Sequence, residues 1–141
     1  MVNPYGTVAE DHLINAVLEG NNFRLRGLLQ RISPANANAK TKEGGYTALM
    51  FAVLKGDYSS VELLLSYYGV DVNASDEDGT TALMMAAREG HTAFVEMLLA
   101  APGIDVNAKN EWGDTALTRA AQEGHTAIVE LLLAAPGIDV N

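Results

Sequence analysis

His91 and His125 stand 34 residues apart, at the same place in two near-copies of one stretch. An imidazole can act as a base or bind a metal at neutral pH, so these rings are the first groups to weigh. Neither use fits. Two histidines one repeat apart have no acidic partner fixed by spacing, and the plainer role is a ring bonding loop backbone between two helices. His12 stands by itself near the start of the chain. There is no cysteine, which removes disulfides, thiolate zinc sites and cysteine nucleophiles and suits a reducing compartment. Asp76-Glu77-Asp78-Gly79 resembles the turn of a calcium loop. With Gly79 as the sixth position, however, Ala74 falls first and Met85 twelfth, where the ion needs carboxylates. Those acids read as a solvated loop tip. Asn73-Ala74-Ser75 spells a glycosylation sequon, but no basic-then-apolar leader precedes it and the first cation of the chain is Arg24. Phosphate loops, nucleophile elbows and zinc-protease helices are all missing. No catalytic residue, cofactor or metal is expected, and the chain does not read as an enzyme.

The elements that carry these residues come from a repeat. Gly79 to Asn107 reads GTTALMMAAREGHTAFVEMLLAAPGIDVN and Gly113 to Asn141 reads GDTALTRAAQEGHTAIVELLLAAPGIDVN, identical at 23 of 29 positions. A looser copy occupies Gly45 to Asn73, and a faint one runs from Asp11 to Gln30. A period near 34 residues implies a stack in which each unit buries its apolar face only against its neighbours. Expected units are residues 11–44, 45–78, 79–112 and 113–141, forming one domain after an irregular leader, 1–10.

Within each unit the apolar spacing is helical. Leu49, Ala52 and Val53 make one stripe, repeated by Leu83, Ala86, Ala87 and by Leu117, Ala120, Ala121. Thr47, Thr81 and Thr115 precede these stripes as N-caps. Gly56, Gly90 and Gly124 end them, because glycine enters the left-handed region at little cost. A second helix follows with Val61, Leu64, Leu65, then Val95, Leu98, Leu99, then Val129, Leu132, Leu133. The polar, glycine-containing segments 35–45, 70–79 and 104–113 read as extended fingers between hairpins. The first hairpin, with Leu13, Ala16, Val17 and Leu25, Leu28, Leu29, is otherwise polar and reads as an N-terminal cap.

These residues resemble the ankyrin repeat. The family's T-P-L-H-x-A-A run appears as Thr81-Ala-Leu-Met-Met-Ala-Ala87 and Thr115-Ala-Leu-Thr-Arg-Ala-Ala121, followed by Gly90-His91 and Gly124-His125 and by three D-V-N endings. The resemblance implies an all-α solenoid of helix-turn-helix units joined by finger loops, in a 34-residue variant of the usual period. Alanines 48, 82 and 116 replace the family's proline. Met50, Met84 and Thr118 replace its histidine, so the bonding at the start of each first helix is expected to differ. The resemblance also implies a reading for Asn73 and Asn107, each eight residues after a leucine (Leu65, Leu99), as positions an ankyrin asparagine hydroxylase would modify in an animal host.

Ankyrin folds bind proteins on a concave face made by finger tips and first helices. The copies differ non-conservatively at Thr80/Asp114, Met85/Arg119 and Arg88/Gln122, and the resemblance maps these onto that face together with Tyr46, Phe51 and Lys55. Glu111 and Trp112 belong to a finger tip, where the core does not demand a tryptophan. The first reading is therefore a non-enzymatic module for a protein partner. Two others stand beside it: a targeting or autoinhibitory part of a larger enzyme or secreted effector, and an engineered array. With a formal net charge of −9, a nucleic-acid partner is not expected, and no apolar run reaches the length of a membrane span. The expected location is intracellular, in the cytoplasm or in a host's cytosol. The last unit keeps the apolar pattern of an internal repeat, which makes end-to-end self-association an expectation as well.

Overall fold

A computed structural model describes residues 12–140; the leader, Asp11 and the last asparagine lie outside the described residues. Eight helices pair into four antiparallel hairpins: α1 (His12–Glu19) with α2 (Asn22–Leu29), α4 (Ala48–Lys55) with α5 (Tyr58–Ser66), α6 (Ala82–Glu89) with α7 (Thr92–Leu99), and α8 (Ala116–Gln122) with α9 (Thr126–Leu133). The first helices α1, α4, α6 and α8 pack in that order as one layer, and α2, α5, α7 and α9 form the second. Ala52, Ala86 and Ala120 have no exposed surface. Such small side chains let adjacent first helices approach closely, as their spacing suggested.

The caps are as expected. Thr47, Thr81 and Thr115 accept the amides of Met50, Met84 and Thr118 at 3.3, 3.4 and 3.2 Å. The substituted histidine position does bond differently: the Met50 sulfur accepts from the Thr47 amide at 3.4 Å, and the Thr118 hydroxyl accepts from the Thr115 amide at 2.8 Å. Two of the four orphan donors at the start of α4 and of α8 are thus satisfied without an imidazole.

Each finger closes on itself and onto the next. The Asp76 amide donates to the Thr80 carbonyl at 2.9 Å, and that of Asn110 to Asp114 at 3.0 Å. Between fingers, the Glu77 amide donates to the Gly44 carbonyl at 3.0 Å and the Glu111 amide to Asp78 at 2.8 Å. Asparagine side chains join the loops at the other end. Asn38, Asn73 and Asn107 each donate to a glycine carbonyl (Gly69, Gly103, Gly137) and accept an aspartate amide (Asp71, Asp105, Asp139) at 2.7–2.8 Å. The amide of the Asn73 sequon is spent on this ladder.

One segment departs from the expected finger. Residues 34–37 form a short helix, α3 (Pro34–Ala37), so the first finger is not extended from residue 35. Ser33 caps it by accepting the Asn36 amide at 3.3 Å, and Pro34, whose ring presets a helical φ, sits in its first turn.

Candidate functional surface

The fingers and first helices divide the expected contact residues into two groups. Trp112 is 61% exposed at its finger tip, and among the described residues it stacks on no other ring. Its amide donates to the Asn110 side-chain oxygen at 3.0 Å, and Asp114 donates to the same oxygen at 3.0 Å, so the tip that holds the ring is rigidly turned. Glu111 beside it is exposed, as is Gln122 at the end of α8. Arg119 pairs with Asp114 at 3.2 Å and Arg88 with Glu89 at 3.0 Å, all four side chains partly in solvent. Tyr46 is half-buried, its ring 5.4 Å from that of Phe51.

The second group contributes to the core. Phe51 and Met85 are buried on α4 and α6, and Thr80 is 8% exposed on its finger. These three offer a partner little surface, and the face narrows without them. Lys55 is exposed but engaged: its ammonium donates to the carbonyls of Val17 and Leu18 at 2.8 and 2.9 Å. It therefore caps the C-terminus of α1, where a cation also meets the negative end of the helix dipole.

Register along the stack adds one residue the sequence comparison missed. Leu54 occupies the position of Arg88 and Gln122 one and two units earlier, and it is 38% exposed. The 34-residue spacing would have found it. Around these residues the finger tips carry the carboxylates of Glu43, Glu77, Asp78 and Glu111, all exposed.

The plainer reading of the histidines, a ring bonding backbone, holds for His125 and not for His91. The His125 ring donates from Nε2 to the Arg88 carbonyl at 3.0 Å, tying the turn of one hairpin to the end of the first helix of the hairpin before it. The ring of His91 lies 5.1 Å from that of Phe94. No group of three or more metal-ligating side chains exists among the described residues, and no described helix is long and apolar enough to cross a membrane.

Helical hairpins stacked in two layers, with turned fingers projecting from one edge, define a repeat solenoid whose exposed tips are its most variable part. The chain matches the family model described as ankyrin repeats (3 copies), over residues 13–110 and again over 68–141. It belongs to the ankyrin-repeat family. A search of curated proteins finds no match. Ankyrin repeats generally mediate protein–protein interaction and are not themselves catalytic.

Proposed function

We propose that this chain holds a protein partner non-covalently on the side formed by the finger tips and the exposed ends of the first helices. Trp112 carries the reading. A large aromatic ring left 61% in solvent stands on a turn whose backbone is already ordered by hydrogen bonds, so binding need order only the side chain, and tryptophan is enriched among residues that dominate binding energy. Arg88, Glu111, Asp114, Arg119, Gln122 and Leu54 would supply the polar and apolar margin of the contact along the stack, with Tyr46 toward its other end. Burial of Phe51, Met85 and Thr80 gives them a supporting part beneath that surface. The residues act by recognition and perform no chemistry. A cysteine-free chain with this fold suits work inside a cell.

The test is affinity selection from cell extract with four baits side by side: wild type, Trp112→Ala, Arg119→Ala and Glu130→Lys, the last on α9 in the other helical layer. A partner retained by wild type and Glu130→Lys but lost by about tenfold from Trp112→Ala is expected, with unchanged melting temperatures. A partner lost only from Glu130→Lys, or lost in step with melting temperature, overturns the reading.

A further inference from the structure

The finger tips meet in a row. The Glu77 amide donates to the Gly44 carbonyl of the finger before it at 3.0 Å, and the Glu111 amide to Asp78 at 2.8 Å. These bonds hold the tip pairs Glu43-Gly44, Glu77-Asp78 and Glu111-Trp112 next to one another along the stack. Glu43, Glu77, Asp78 and Glu111 are exposed. Among the described residues, none of their carboxylates joins an ion pair or a side-chain hydrogen bond. Like charges that the backbone keeps side by side give that edge a standing negative field.

Most cations near this edge are engaged elsewhere. The Lys40 ammonium donates to the Ser75 carbonyl and that of Lys55 to the carbonyls of Val17 and Leu18. Arg88 is paired with Glu89, and Arg119 with Asp114. Lys42 stands on the first tip beside Glu43, and Lys109 at the base of the third finger, both exposed. The negative charge is therefore concentrated where Glu77, Asp78 and Glu111 adjoin Trp112. Carboxylates by themselves would make only a hydrated edge. The indole beside them, 61% in solvent and stacked on no other described ring, adds a second attraction for the same kind of group. Its face draws a cation and shields it from water.

From this charge complementarity we infer that the protein held at the finger tips presents a cationic segment: an extended stretch whose lysine or arginine side chains meet Glu77, Asp78 and Glu111, one of them lying over Trp112. The inference rests on recognition at the finger tips and adds the chemistry of the partner. Packed helices lie about 8–10 Å apart, and the first helices set the step from finger to finger. An extended chain rises about 3.3 Å per residue, so it crosses one finger in about three residues. The cations of the segment are expected at that spacing. Arginine suits the position over the ring best, because its planar guanidinium stacks on an aromatic face. An acidic segment would meet repulsion at all three carboxylates.

A displayed library of random peptides is selected in parallel on four forms of the full chain. These are wild type, Trp112→Ala, a finger form (Glu77→Gln, Asp78→Asn, Glu111→Gln) and a form of equal charge altered on the second helices (Glu62→Gln, Glu96→Gln, Glu130→Gln). All these side chains are exposed, so the four forms are expected to melt together. Peptides enriched on wild type should carry lysine and arginine at about twice the library frequency or more. Their enrichment should fall by about tenfold on the finger form and on Trp112→Ala, and by no more than about twofold on the second-helix form. Enriched peptides that are neutral or acidic, yet lost with Trp112→Ala, would leave recognition at the tips standing and overturn the cationic partner. Equal loss on the two charge-altered forms would reduce the effect to net charge and overturn it as well, as would a wild type that enriches nothing. Basic peptides held equally by all four forms would overturn both readings.

Discussion

Gly90 and Gly124 occupy the same position of consecutive units with almost the same backbone, φ 77° and 75°, yet replacing them by alanine should differ in cost. At both sites the left-handed conformation alone penalises a Cβ by about 1–2 kcal/mol. At Gly124 nothing lies within 4 Å of the added carbon, so that is the whole effect. At Gly90 the carbon would stand 2.7 Å from Cε1 and 3.0 Å from Nε2 of His125. The ring must move, and the bond from Nε2 to the Arg88 carbonyl goes with it, adding about 1 kcal/mol or more. Gly90→Ala is therefore expected to cost about 2–3 kcal/mol and Gly124→Ala about 1–2, both read from urea unfolding. A cycle with His125→Ala isolates the cause: in that background the two alanines should cost the same. If Gly90→Ala retains its full excess once the ring is gone, the reasoning is wrong.

Leu98, with no exposed surface, should cost about 2–5 kcal/mol as Leu98→Ala, whereas Leu133→Ala, its side chain half in solvent, should cost clearly less; equal midpoints in urea would contradict this difference in burial. Asn110 accepts two amides through its oxygen, but its side-chain nitrogen is buried without a partner. Asn110→Asp keeps the accepting oxygen, as Asp76 does in the previous finger, but puts a carboxylate oxygen without a partner where the buried nitrogen stood, and should lower stability at neutral pH by about 1 kcal/mol or more, a gain of stability refuting it. Partial burial, and secondarily the neighbouring Tyr68, pushes the Tyr67 phenol above its ordinary range, and its hydroxyl donates to the Ile32 carbonyl at 2.7 Å. The folded state therefore prefers the proton. The Tyr67 contribution should be complete below the unfolded value near 10 and fade as pH rises through the higher folded value, a loss that Tyr67→Phe should reduce in alkaline melting curves.

Much of the fold is legible because one pattern is written several times. The stripes ending at Ala87 and Leu99 recur, and a spacing that survives drift between copies has to be packing. Segment 34–37 was not legible that way, since Ser33-Pro34 is a local helix signal outside any stripe. The contact face was only half legible. Differences between copies separate framework from freedom, but they do not report exposure. Met85 and Arg119 share a column, yet Met85 is buried in the core while Arg119 is part-exposed and pairs with Asp114. Lys55 illustrates the same gap. Its long side chain reaches carbonyls 37 and 38 residues earlier in the chain, a contact no spacing rule announces.

Trp112 is the chain's single tryptophan, so a fluorine-labelled indole at that position reports on the finger tip and nothing else. Its resonance should shift, and lose its response to solvent exchange between light and heavy water, when the partner retained in affinity selection is titrated in. A partner that binds fully while the resonance keeps both its position and its solvent response would contradict recognition at the finger tips.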